Sequence, residues 1–161
     1  MGMERIVIIG AGQAGAQAAV SLRQGGYKGA ITMIGAEEAP PYQRPPLSKA
    51  YLKSELEEPR LYLRPAEFYE AQKIELHLGV RATGIDRRAK IVSTDDGGAH
   101  SYDVLLIATG APPRQITAPG ADLRGVHYLR TLADSDSLKP MLSAPGRVVI
   151  VGAGYIGLEV A

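Results

Sequence analysis

The sequence predicts an α/β protein on a buried parallel sheet, with a three-stranded antiparallel meander and the start of a second parallel unit near residue 161. Three observations carry that class. Residues 6–9 and 148–151 are short β-branched runs without charge, each followed at once by a glycine-rich turn and an apolar helical stretch. A third apolar run, 30–34, lies where a right-handed crossover would return the chain parallel to the first strand. Between residues 81 and 102 the chain turns repeatedly, with Asp95-Asp96-Gly97-Gly98 as a hairpin signal.

Taken in order, residues 6–9 form a strand, 14–24 a helix closed by Gly25-Gly26, and 30–34 the next strand, so 5–38 is one βαβ unit. Residues 39–64 change texture. Pro40, Pro41, Pro45, Pro46 and Pro59 surround one short helical stretch, 47–52, and long structured excursions of this kind are often functional. Residues 65–72 read as a helix with proline in its first turn, and 74–78 as a strand. The meander takes 81–86, 90–94 and 100–102. The purely apolar 104–108 belongs in the buried parallel sheet and ends at Thr109-Gly110. A linker-like 111–120 follows, then extended 126–130, then a helix to about residue 142 opened by the capping pair Thr131 and Asp134. Residues 147–151 begin the second strand–glycine–helix unit.

The 161 residues are 45% hydrophobic and 22% charged, the composition of a core-forming globular chain. Eighteen Lys and Arg face 17 Asp and Glu, a formal charge of +1, so the totals carry no footprint for nucleic acid or an anionic membrane. Absent cysteines exclude a disulfide framework, a cysteine-ligated metal and a redox dithiol within these residues, and fit a reducing cytoplasm. His77, His100 and His127 lie in separate segments without metal-ligand spacing, so no metal site is expected. The apolar run 6–22 is broken by glycine and glutamine and lacks a positive leader, 148–158 is too short to span a bilayer, and the Met1-Gly2 start has Ile6 where myristoylation needs Ser or Thr.

The internal repeat carries the chemistry. Gly10-Ala11-Gly12-Gln13-Ala14-Gly15 is echoed by Gly152-Ala153-Gly154-Tyr155-Ile156-Gly157, each directly after its apolar run. This is the Rossmann-like dinucleotide-binding form. The first glycine permits a tight turn, the second lets backbone approach a pyrophosphate, the third allows close helix–strand packing, and unpaired N–H groups at the helix start attract phosphate. Glu37 stands about 20 residues beyond Gly15, where a ribose-binding carboxylate is expected.

With these motifs the chain resembles the ferredoxin reductase-like flavoproteins, which include putidaredoxin, rubredoxin and biphenyl-dioxygenase ferredoxin reductases and the related apoptosis-inducing factor. The resemblance runs through the first fingerprint, Pro41-Tyr42-Gln43-Arg44-Pro45-Pro46-Leu47-Ser48-Lys49, Ala108-Thr109-Gly110, Tyr128-Leu129-Arg130-Thr131-Leu132, and the second fingerprint continued by Leu158-Glu159. It implies a parallel sheet of the glutathione-reductase type, with FAD on the first fingerprint and NAD(P)H, NADH slightly favoured, on the second. It implies that residues 1–113 are the first part of an FAD-binding domain and 114–161 the truncated start of an NAD(P)H-binding domain.

Carried over by position, Gly10, Gly12, Gln13, Ala14 and Gly15 would meet the FAD pyrophosphate, Arg44 the phosphate and adenosine side, and Lys49 the flavin ring. Ala82 would touch adenine by backbone, Thr109 and Gly110 would line the cofactor, and Arg130 would reach it from the hinge. Gly152, Gly154, Tyr155, Ile156, Gly157 and Glu159 belong to the nicotinamide-nucleotide side. An arginine fork suits phosphate oxygens, and a lysine ammonium stabilises a reduced, anionic flavin. Relatives carry an acid where this chain has Ala36, which leaves the ribose to Glu37 or to backbone. Cysteine-using relatives place their thiols where this chain has Arg44-Pro45-Pro46-Leu47-Ser48-Lys49.

The implied activity is an NAD(P)H:ferredoxin or rubredoxin reductase in the cytoplasm. It would pass electrons through flavin to a small iron–sulfur protein, with no nucleic acid or membrane partner. Lys49 and Glu159 would pair in the resting enzyme. The alternative is a non-catalytic or weakly catalytic dinucleotide-binding redox-signalling module of the apoptosis-inducing-factor type. Family members exceed twice this length, so an N-terminal portion that is inactive by itself is expected.

Overall fold

The computed structural model describes residues 4–161; Met1 to Met3, and with them the Met1-Gly2 start, lie outside the described residues. The elements in chain order are β1 (Arg5–Ile9), α1 (Gln13–Gln24), β2 (Ala30–Gly35), α2 (Ala66–Ala71), β3 (Ile74–Leu78), β4 (Ala82–Asp86), β5 (Ile91–Thr94), β6 (Ala99–Ser101), β7 (Val104–Ile107), α3 (Leu132–Leu142) and α4 (Tyr155–Val160). Two units organise them. One runs to Tyr42 and resumes over Tyr62–Gly110; the other comprises Gln43–Leu61 and Ala111–Ala161.

In the first unit four parallel strands stand in the order β3-β2-β1-β7, and the antiparallel meander β4-β5-β6 forms a second sheet. The unbroken apolar run of β1 follows from cover on both faces. Ile6 and Ile8 pack with Ala16, Ala19, Met33 and Tyr69 on the side of α1 and α2, while Val7 and Ile9 pack with Ile34, Val92 and Tyr102 on the meander side. Truncating Ile8, fully buried, would cost about 2–5 kcal/mol. Arg23 ties the end of α1 to its surroundings by donating to the carbonyl oxygens of Gln72, Tyr27, Gly29 and Lys73. The β5–β6 turn is held by Asp96, whose Oδ1 accepts from Thr94 Oγ1 at 2.6 Å and from Gly98 N at 3.0 Å.

β7 joins the parallel sheet as expected, but at its edge rather than buried: Val104 is 46% and Ile107 61% exposed. Its apolar side chains pack on β1 from one side only, because no described strand lies beyond it.

The second unit departs further from the expected elements. The helix expected over 47–52 is a 3-10 turn, Pro45–Ser48, followed by tight turns through residue 54. Two successive prolines remove donors from its first turn, Lys49 leaves helical geometry (φ −129°, ψ −118°), and Tyr51 N reaches back to Pro46 O. Residues 147–151, expected as a strand, pair with no strand among the described residues, and Val149 is 87% exposed. An apolar run becomes a strand only where a neighbour accepts its hydrogen bonds. Helix α3 begins as expected on a capping box: Asp134 N donates to Thr131 Oγ1, and Thr131 N to Asp134 Oδ2.

Candidate functional site

In the first unit the site is built on the turn between β1 and α1. Gly10 has φ +116°, a conformation that side chains rarely adopt, and a methyl group there would be driven into the Ala108 carbonyl and against Thr109 N. Gly10 and Thr109 are therefore brought together, although they are distant in sequence. Gly15 is closed for another reason: its Cα faces the Gly10 carbonyl and Ile8 Cγ2, so α1 can approach β1 only without a side chain there.

Gly12 differs from both. It caps α1 in extended geometry (φ −88°), and a Cβ built on it meets nothing within 4 Å. Among the described residues no side chain caps this helix and no acid occupies its first turn, while Gln13 and Ala14 are exposed. The space beside Gly12 at the start of α1 is thus open, and a single methyl would begin to fill it. That cradle fits a pyrophosphate, because α1 offers donors and the positive end of its dipole with no internal anion in competition.

Glu37 lies just beyond β2 and is half-buried; its Oε2 accepts from Tyr42 OH at 2.5 Å. Ala36, beside it, is exposed. Ala82 opens β4, pairs with Thr94 and packs against the meander-side core. Thr109 and Gly110 are exposed after β7, and Gly110 has φ +70°.

The second unit repeats the glycine geometry. Gly152 has φ +113°, Gly154 caps α4 at φ −77° with nothing within 4 Å of its built Cβ, and Gly157 faces the Gly152 carbonyl and Ile150 Cγ2. Each glycine matches its counterpart in the first turn, down to the Ile Cγ2 contact. The difference lies at the first position: no atom lies within 4 Å of a Cβ on Gly152, whereas Gly10 is hemmed in by residues 108 and 109. Tyr155 and Ile156 stand exposed on α4.

Four other predicted residues meet in this unit. Arg44 Nη1 donates to Arg130 O at 2.6 Å, and Arg130 N donates to Asp134 Oδ2 at 2.9 Å. Lys49 Nζ lies 2.8 Å from Glu159 Oε1, the pairing expected for the resting protein. Lys49, and after it Ser48, hold the Glu159 carboxyl below its ordinary value by hydrogen bonding, so it is ionised at neutral pH. A cleft of about 40 Å³ lies among Arg44, Leu47, Ser48, Leu129, Arg130 and Ile156. The larger depression, about 640 Å³ along the β4–β5 turn near Arg87 and Arg88, is lined by none of the predicted residues.

Several partners carry no signature in sequence. Ser48 Oγ donates to Glu159 Oε2 at 2.5 Å, Ser135 Oγ to Leu47 O at 2.9 Å, and Tyr51 OH to Asp136 Oδ1 at 2.7 Å. Burial first, then the Asp136 carboxylate, pushes the Tyr51 phenol well above its ordinary value. Ser48 and Tyr42 stand in the proline-rich motif itself, and that adjacency is the one signal that could have flagged them. His77 and His100, read as unrelated, touch edge to face at 4.7 Å between centroids, with His77 Nε2 3.0 Å from Glu75 Oε1. Among the described residues no group of three or more His, Asp and Glu could hold a metal ion.

A family model described as pyridine nucleotide-disulphide oxidoreductase matches residues 4–161. Rhodocoxin reductase of Rhodococcus erythropolis is 51% identical over 156 residues, which is 97% of this chain and 36% of the relative. A rubredoxin-NAD(+) reductase of Pseudomonas putida is 47% identical over 156 residues, 97% of this chain and 40% of the relative. Among solved structures, the ferredoxin reductase for the CYP199A2 system from Rhodopseudomonas palustris aligns with a TM-score of 0.93 at 46% identity, covering 98% of this chain and 39% of that one. The reductase of a covalent putidaredoxin reductase–putidaredoxin complex gives 0.91 at 41% identity, covering 99% and 39%. The chain therefore spans 36–40% of the length of these proteins. With one family matched over nearly its whole length, and both glycine turns built alike, the chain belongs to the pyridine nucleotide-disulphide oxidoreductases.

Proposed function

We propose that these residues are the front part of an FAD-dependent reductase that takes electrons from NAD(P)H and delivers them to a ferredoxin- or rubredoxin-type iron–sulfur protein in the cytoplasm. The observation that carries this reading is the duplicated glycine–helix turn, with one turn for each of two dinucleotides. The names of the rhodocoxin, rubredoxin and ferredoxin reductases support the electron donor and acceptor classes. Residues 1–113 are assigned to the FAD domain and 114–161 to the start of the NAD(P)H domain. Among the described residues no helix is long and apolar enough to cross a membrane.

Bound FAD would supply the two-electron acceptance and one-electron donation that no side chain here performs. The protein's own contribution is binding and electrostatics. Gly10, Gly12, Gln13, Ala14 and Gly15 present backbone donors to the pyrophosphate, and Thr109 and Gly110 border the turn. Glu37 offers its carboxylate to ribose hydroxyls. Arg44 directs guanidinium donors to phosphate while one of its five N–H groups holds Arg130 O. Lys49 supplies the cation for a reduced flavin, and Glu159 stores it.

The test is the full-length protein: yellow as purified, with FAD released on denaturation, and reducing a ferredoxin or rubredoxin with NADH or NADPH. Colourless protein, or flavin that no nicotinamide nucleotide reduces, overturns the reading. Flavin attachment is expected to be non-covalent, with the backbone donors of the first turn holding the pyrophosphate and no cysteine among these residues for a thioether link. Arg44→Ala is expected to raise the FAD Kd by roughly tenfold, the scale of one charge-assisted contact. Unchanged FAD retention through gel filtration would remove Arg44 from the site.

The 161-residue chain alone is expected not to oxidise NADH. Val104 and Ile107 on β7, and Val148, Val149 and Val151 before α4, are exposed apolar residues. In the longer relatives' architecture, further strands would cover such edges. Robust NADH-dependent dye reduction by the purified 161-residue chain would refute this expectation.

A further inference from the structure

The carboxylate of Glu159 is gripped by two adjacent residues in different ways. Lys49 Nζ meets Oε1 at 2.8 Å, and Ser48 Oγ meets Oε2 at 2.5 Å. The Lys49 side chain is 51% exposed at the end of a flexible four-carbon stem, whereas Ser48 is 6% exposed. The backbone under Ser48 is itself pinned, because the preceding carbonyl, Leu47 O, accepts from the fully buried Ser135 of α3. A hydroxyl has one proton to give. Ser48 Oγ stands 3.5 Å from Pro45 O and 2.5 Å from Glu159 Oε2, so the proton goes to the carboxylate. One grip is therefore fixed and the other movable.

We propose that Ser48 is a positioning residue for Glu159: its hydroxyl holds Oε2 in place while Lys49 exchanges between Oε1 and the flavin. The inference rests on the reading of Lys49 and Glu159 given above and adds what that reading lacks. An ammonium that leaves its carboxylate strands an anion, and an anion without a donor would either draw the ammonium back or take up a proton. With Ser48 bonded, the carboxylate stays ionised and in register, so Lys49 returns to a waiting partner. The charged group facing Glu159 is Lys49, while Arg44 and Arg130 line the neighbouring cleft.

The test uses the full-length protein with Ser48→Ala and Ser48→Thr, each also combined with Glu159→Gln. The Glu159 carboxyl is followed by ¹³C NMR, assigned by its loss in Glu159→Gln, and flavin reduction by NADH is followed by stopped flow across pH. Ser48→Ala is expected to move the Glu159 titration to higher pH, and to carry the acid limb of the reduction rate with it. At neutral pH it should slow reduction roughly tenfold, the scale of a hydrogen bond to a charged group. Ser48→Thr, which keeps the hydroxyl, should restore both. In the Glu159→Gln background Ser48→Ala should add nothing. An unshifted Glu159 titration, with rates still sensitive to Lys49 and Glu159, overturns the role of Ser48 alone. A shifted titration with rates indifferent to all three residues overturns the underlying reading of the pair.

Discussion

Gly10→Ala in the full-length protein is expected to leave almost no folded, FAD-loaded material, the largest single effect anticipated anywhere in these residues. Two costs add at that position. The backbone sits at φ +116°, where a side chain costs about 1–3 kcal/mol, and the new methyl group collides with the Ala108 carbonyl and Thr109 N. Neither side of the clash can yield cheaply, because Ala108 N is bonded to Ile9 O at 2.7 Å and Gly10 N to Ile34 O at 2.8 Å. A domain stabilised by about 5–15 kcal/mol loses a large part of its margin to such a change. Gly12→Ala is the control, with φ −88° and nothing within 4 Å of the new Cβ. It should fold with a melting temperature near wild type, yet bind FAD at least about tenfold more weakly, since the methyl enters the space assigned to pyrophosphate. Thermal unfolding and FAD per chain, measured for both variants, separate the structural glycine from the binding glycine. Wild-type stability in Gly10→Ala would contradict the close approach at Ala108, and undiminished FAD affinity in Gly12→Ala would move the cofactor away from α1.

What could be read in the sequence follows from which forces leave a local trace. β1 and β2 were legible because cover on both faces demands an unbroken apolar run, and the β1–α1 turn because close packing at Gly10 and Gly15 tolerates no side chain. The β5–β6 hairpin was legible for a similar reason, since Asp96 and Gly97 do their work within a few residues. Residues 147–151 have the same apolar texture as β1 and yet form no strand, because texture reports suitability for a sheet while pairing requires a neighbour. The 3-10 turn at Pro45–Ser48 could not be told from an α-helix, for the residues that decide it are prolines compatible with either first turn. The contacts that organise the second unit, Ser48 with Glu159, Leu47 with Ser135, Tyr51 with Asp136 and Arg44 with Arg130, join residues more than 80 positions apart. No periodicity records such a meeting. The Lys49–Glu159 contact was anticipated because the resemblance, rather than any spacing, put both residues at one cofactor.

Lys49→Met and Glu159→Gln, made separately in the full-length protein, are each expected to slow flavin reduction by NAD(P)H about tenfold or more while FAD content and melting temperature stay near wild type. Stability should be little affected because the pair is partly exposed: with the Lys49 side chain 51% and that of Glu159 27% accessible, solvent screening leaves such a contact little net worth to the fold. Rate should respond because reduction adds negative charge to the flavin, and a cation delivered there favours the charged product more than the neutral reactant. Removing Lys49 removes the cation. Removing the Glu159 charge leaves the ammonium present but without the partner that keeps it poised, so it no longer exchanges between two defined positions. Both changes disable one device, and the double variant should therefore be little slower than the worse single one. The pH dependence has a definite sign. The Glu159 carboxyl lies below its ordinary value, so the pair is intact at neutral pH and is lost only as pH falls through that lowered value. Wild-type reduction should accordingly show an acid limb that Glu159→Gln lacks. If Lys49 merely braced the proline-rich turn and Glu159 merely sat in the first turns of α4, the two variants would lose stability instead. Stopped-flow rates would then stay near wild type, or the two losses would add.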